Sequence, residues 1–90
     1  MTDMQFISTC KKQVVEYFNG ERDATDKNDS ITEEDVFIVW VCKALQNWKA
    51  LVSTTVADGM YYELTYNGDK KQLYLDAYKK WKNKCIEVAE

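Results

Sequence analysis

The sequence predicts an α+β domain of order α-β-β-β-α, a three-stranded antiparallel meander with two helices packed on one face. Three patterns predict it. Phe6, Cys10, Val14 and Phe18 recur every four residues, the spacing of one helix face. Met60, Tyr62, Leu64 and Tyr66 alternate with Tyr61, Glu63 and Thr65, the spacing of a half-buried strand. Leu73, Ala77, Trp81 and Cys85 return to four-residue spacing. Ninety residues, 46% hydrophobic and 30% charged, suit one globular domain spanning 1–90.

The first helix is expected over about 3–18. Thr2 and Gln5 have capping-box spacing, and Asn19-Gly20 is a plausible C-terminal stop. Residues 20–32 read as a mobile polar loop whose only apolar members are Ala24 and Ile31. The run 36–45 fits two templates. Its β-branched and aromatic residues argue for a strand, whereas Phe37, Val41, Ala44, Trp48 and Leu51 also fit helical spacing. Length and β-branching favour the strand. Gln46-Asn47 then turns the chain into a second strand over 48–55. Asp58-Gly59 supplies a turn into the third, over 60–66. Asn67-Gly68 ends that strand, and Asp69 is placed to cap a last helix over about 70–86.

The first strand is apolar on both faces, with Val36, Ile38, Trp40, Cys42 and Ala44 set against Phe37, Val39, Val41, Lys43 and Leu45. Helices on one side of the sheet would leave the second apolar face open. Either the 20–32 loop or a partner must cover it.

Several functions are excluded by composition. The chain has no histidine, which removes Ser-His-Asp and Cys-His catalysis and the commonest zinc ligand. Cys10, Cys42 and Cys85 are widely spaced and odd in number, which fits reduced, buried thiols in a cytoplasmic protein. No run approaches the ~20 apolar residues that span a bilayer. The segment 26–33 has the polar look of a calcium loop. Placing Ile31 at position eight puts Ala24 at position one, where a ligand is required. Glu33-Glu34-Asp35 lacks a base partner, and no glycine loop could cradle phosphate. No enzyme activity, metal or cofactor is expected.

Charge is unevenly distributed. Fifteen acids against twelve bases give a net charge of −3, and seven of those acids fall within residues 21–35. Glu21, Asp23, Asp26, Asp29, Glu33 and Glu34 are candidate contacts for a basic protein surface, or a solvated loop face. Trp40 and Trp48 are the candidate anchors on the open face. The basic residues gather late. Lys70 and Lys71 would start the last helix, with Lys79, Lys80, Lys82 and Lys84 near its end. The predicted element order is that of double-stranded-RNA-binding domains, so a nucleic-acid-binding module is the alternative reading. The net charge opposes it.

Further motifs support a resemblance. They include Asp35-Val36-Phe37-Ile38-Val39-Trp40, Leu45-Gln46-Asn47, Lys49-Ala50-Leu51 and Ser53-Thr54-Thr55. Asp58-Gly59-Met60-Tyr61-Tyr62-Glu63, Thr65-Tyr66-Asn67-Gly68-Asp69-Lys70 and Tyr74-Leu75-Asp76-Ala77-Tyr78-Lys79-Lys80 continue the set. Together these resemble a family of small proteins of unknown function from phages and prophages of low-GC Gram-positive bacteria, over about residues 5–86. The resemblance implies no catalytic residues. It implies an accessory protein that acts by protein–protein binding in the cytoplasm of a bacterial host. The most concrete form is an inhibitor of a host defence nuclease, in the manner of anti-CRISPR proteins. A homodimer through the open sheet face is compatible with that role.

Overall fold

The computed structural model describes residues 1–21 and 30–89, and these build one helix against a four-stranded sheet. Helix α1 runs Asp3–Glu21. A 3-10 turn, Glu33–Asp35, leads into strands β1 (Val36–Ala44), β2 (Asn47–Thr54), β3 (Met60–Asn67) and β4 (Gln72–Lys79). The strands form an antiparallel meander in chain order, with β1 and β4 as the two edges. The domain is therefore α+β, but with four strands and one helix where the sequence predicts three and two.

The α1 start is the predicted capping box. The Thr2 amide donates to Gln5 Oε1 at 2.8 Å, and the Gln5 amide donates to Thr2 Oγ1 at 3.2 Å. The end is not as predicted, because Asn19 and Gly20 stay helical. Asn19 is engaged elsewhere. Its Nδ2 donates to the Ile31 carbonyl at 3.1 Å, and its Oδ1 accepts the Ile31 amide at 2.9 Å. This two-bond clamp holds Ile31, only 6% exposed, against the helix and at the approach to β1. Asn19→Ala should cost about 1–3 kcal/mol, because the Ile31 backbone loses both partners in a partly buried site. Urea denaturation of the variant checks this.

The predicted last helix is replaced by β4. Four is an even number, so Leu73 and Ala77 satisfy strand alternation as well as helical spacing. Leu75 decides between them. It shares a face with Leu73 and Ala77 only in a strand, and there Leu64↔Leu75 and Tyr66↔Leu73 pair across the sheet. Asn67-Gly68 does break the chain, but into a four-residue hairpin turn that ends at Lys71 with φ +53. Asp69 caps no helix. Its Oδ1 accepts Gln46 Nε2 at 2.7 Å, while the Gly68 amide donates to Asn47 Oδ1 at 3.0 Å. The two neighbouring turns are thereby docked, so closely that a Cβ on Gly68 would collide with the Gln46 carbonyl.

The run 36–45 is a strand, as favoured, and its turn is Leu45-Gln46. Its two faces are not those of simple alternation. Ile38 pairs with Val52 and Trp40 with Leu51, so Val39 is the extra residue of a β-bulge. The bulge inverts the parity of everything after it. Val36 and Ile38 share the helix side with Val41 and Lys43, while Phe37 joins Trp40, Cys42 and Ala44 on the other side.

Helix α1 packs on one face only. Phe6, Cys10 and Val14 are fully buried there against Trp48, Ala50, Val52, Tyr62 and Leu64. Phe6 stacks on Trp48 with ring centroids 5.3 Å apart, and Tyr17 meets Tyr62 edge-on at 5.8 Å.

An open aromatic sheet face

The register places the far face of the sheet in rows. One row runs Phe37, Ser53, Tyr61, Tyr78. The next runs Trp40, Leu51, Glu63, Asp76, and a third Cys42, Lys49, Thr65, Tyr74. Among the described residues, no helix covers this side. Phe37 is 46% exposed, Trp40 42%, Tyr74 52% and Tyr78 53%. Each owes its position to strand alternation, with the bulge adding Trp40 and Cys42. Ser53 sits between Phe37 and Tyr61, nearly buried, and its hydroxyl donates to the Met60 carbonyl at 3.0 Å. Its polar group is therefore satisfied beneath the rings.

The charges on this face are few and mostly acidic. Lys49 Nζ lies 3.2 Å from Glu63 Oε1, the one ion pair among the described residues. Asp76 stands directly opposite Glu63 and has no such partner among them. The face thus combines exposed rings with one lysine and two carboxylates.

Trp40 lies on this face. Trp48 does not: it is 4% exposed on the helix side, stacked on Phe6, with Lys43 Nζ 4.8 Å from its ring centroid. The physical reason is the alternation of β2, where Trp48, Ala50 and Val52 point to α1 and Lys49 and Leu51 point away. Phe37, Tyr74 and Tyr78 were not anticipated as site residues. The bulge and the helical reading of 70–86 hid them.

Three of the acidic candidates fall among the described residues. Glu21 is exposed at the end of α1, and Glu33 and Glu34 are exposed in the 3-10 turn before β1. Asp23, Asp26 and Asp29, with most of the predicted 20–32 loop, lie outside the described residues. Asp35 has a structural task, its Oδ2 accepting the Thr32 amide at 2.9 Å.

The lysines of the nucleic-acid reading do not share a helix. Lys70 and Lys71 sit in the β3–β4 turn and Lys79 at the opposite end of β4, about 25 Å away for eight extended residues. Lys80, Lys82 and Lys84 follow it in a segment without regular structure. The helix on which the comparison with double-stranded-RNA-binding domains depended is absent from the described residues.

Of the three cysteines, only Cys10 is buried, correcting the expectation of three buried thiols. Burial pushes the Cys10 thiol pKa up to about 12. Tyr62 is also raised, first by burial and then by the charges of Asp58 and Tyr17. Among the described residues, no group of three or more carboxylate or thiol side chains could hold a metal ion. Within the same residues, no helix is long and apolar enough to cross a membrane.

A family model described as a family of unknown function, DUF6275, matches residues 7–88, and the chain belongs to that family. No curated protein and no solved structure matches it.

Proposed function

We propose that this member of the DUF6275 family works by binding another protein through the open face of its sheet. One observation carries the reading. Phe37, Trp40, Tyr74 and Tyr78 are large rings, about half exposed, held on a rigid sheet with no covering layer among the described residues. Aromatic anchors of this kind dominate protein interfaces, because they bury much area while losing few rotamers. The acidic composition of residues 21–35 would steer a basic partner. In its most concrete form the protein is a phage or prophage accessory factor, and its target is a host defence nuclease with a basic nucleic-acid channel. That form rests on the phage-like sequence motifs. A second copy meeting the same face is the other partner of this chemistry.

The test is capture from a bacterial lysate with tagged wild type beside a Trp40→Ala/Tyr78→Ala variant. Circular dichroism first confirms that the variant is folded. A host protein retained by wild type and lost by the variant is the expected result. Identical capture by both would overturn the role of the face. Replacing Asp23, Asp26 and Asp29 by Asn should then weaken capture at low salt more than at high salt. A gel shift with duplex RNA and DNA at low salt completes the test, since retardation would favour the nucleic-acid reading.

A further inference from the structure

Among the described residues, the β1 edge of the sheet pairs with nothing, and neither does an extended segment after β4. Edge strand β1 is nine residues long, mostly apolar, with no proline and Lys43 as its only charge. Natural sheets blunt or cover such edges, because their unpaired amides and carbonyls recruit another strand. After β4, the Lys80 amide donates to the Gly59 carbonyl at 2.7 Å, and the backbone then leaves the sheet. Residues 81–89 run without helix, turn or bend and make no strand pair. Along this arm Trp81 is 95% exposed, Ile86 69% and Val88 76%. An extended segment with exposed apolar side chains and free backbone groups is suited to pair with another strand.

Charge says what receives them. The arm is basic at its root, with Lys80, Lys82 and Lys84, and only Glu87 opposes them among its described residues. The β1 edge is entered through Glu33 and Glu34, both exposed and without an ion-pair partner among the described residues. Edge and arm therefore complement one another in backbone pairing, apolar content and sign.

We infer that residues 81–88 of one copy add as a fifth strand to the β1 edge of a second copy, and that the exchange is reciprocal within a dimer. The arm spans about 25 Å when extended, enough to run from the 3-10 turn along the first half of β1. Placing Lys82 and Lys84 beside Glu33 and Glu34 sets the added strand parallel to β1. Cys85 then falls opposite the start of β1, near Val36 and Phe37, and about 20 Å short of Cys42. Reciprocal exchange closes a twofold assembly in which both β1 edges are filled and the β4 edges stay free. The inference depends on the edge and the arm, not on the protein-binding role of the open face, so either can fail alone.

A short bismaleimide tests it on a full-length Phe37→Cys/Cys42→Ser variant, because position 37 and Cys85 are exposed and Cys10 is buried. Equal amounts of light and heavy-isotope protein are mixed, cross-linked and digested. The expected product joins position 37 of one isotope to Cys85 of the other, and light scattering shows a dimer. Four results would overturn the inference. These are a same-chain link between position 37 and Cys85 in a monomer, links between two copies of position 37 alone, Cys85–Cys85 links alone, or a monomer without cross-links at every concentration. Charge reversal tests the polarity. Lys82→Glu/Lys84→Glu should weaken the dimer about tenfold or more, and adding Glu33→Lys/Glu34→Lys should restore most of that loss. Weakening without rescue would remove the proposed pairing. All four positions are exposed, so these variants should leave the core folded.

Discussion

Trp48→Ala is expected to destabilise the domain by about 3–5 kcal/mol, and Trp40→Ala by about 1 kcal/mol or less. The two tryptophans lie on adjacent strands and differ in what they touch. Trp48 is 4% exposed, stacked on Phe6 and roofed by the Lys43 side chain, so its removal leaves a cavity at the α1–sheet contact. Trp40 already gives 42% of its surface to solvent. The larger loss approaches the whole stability of a small domain, which is typically about 5–15 kcal/mol. Urea midpoints for the two variants measure the contrast directly. Similar midpoints would mean that the Phe6–Trp48 stack is not part of the core.

The second large effect is alkaline. Below pH 9 the Cys10 thiol keeps its proton whether the chain is folded or not, and its contribution does not change with pH. From pH 9 the unfolded chain releases that proton, while the folded chain holds it to about pH 12. The unfolded state then binds fewer protons, so stability falls as pH rises through this window. The slope is about 1 kcal/mol per pH unit from this group. Tyr62, raised in the folded state, contributes in the same direction. Denaturation midpoints at pH 8, 9, 10 and 11 should show the decline, and Cys10→Ala should flatten most of it. A thiol reagent applied to native protein should count two accessible cysteines, with the third appearing only on unfolding.

The sequence made some of this legible, and physical reasons account for the rest. The α1 capping box and the Phe6-Cys10-Val14 stripe were readable because they depend only on local spacing. The same holds for β3, whose alternation leaves no helical alternative. The 70–86 segment reads as a helix because a four-residue period fits helix and strand alike, and only Leu75 separates the two. The burial of Trp48 is legible in β2, where the polar Lys49 and Ser53 mark the face opposite Trp48, Ala50 and Val52. The face of Trp40 was not readable. The bulge at Val39 exists only in the pairing with β2, and nothing local to Ile38-Val39-Trp40 announces it. Leu45 is similar, since a leucine at φ +57 is imposed by the hairpin it closes rather than chosen for it.

The meander has a consequence for how the molecule assembles. Every strand pairs only with its neighbours in sequence, across connections of two, five and four residues. Closing loops that short costs little chain entropy, so the sheet can zip from any hairpin and spread outward. The helix arrives by a wider closure, joined through Asn19 and Ile31, twelve positions apart. Until it docks, Trp48, Val52, Tyr62 and Leu64 stand in water on one side while the rings of Phe37, Trp40 and Tyr78 stand in water on the other. A nascent sheet of this kind is sticky on both surfaces, and α1 acts as the built-in chaperone that quiets one of them.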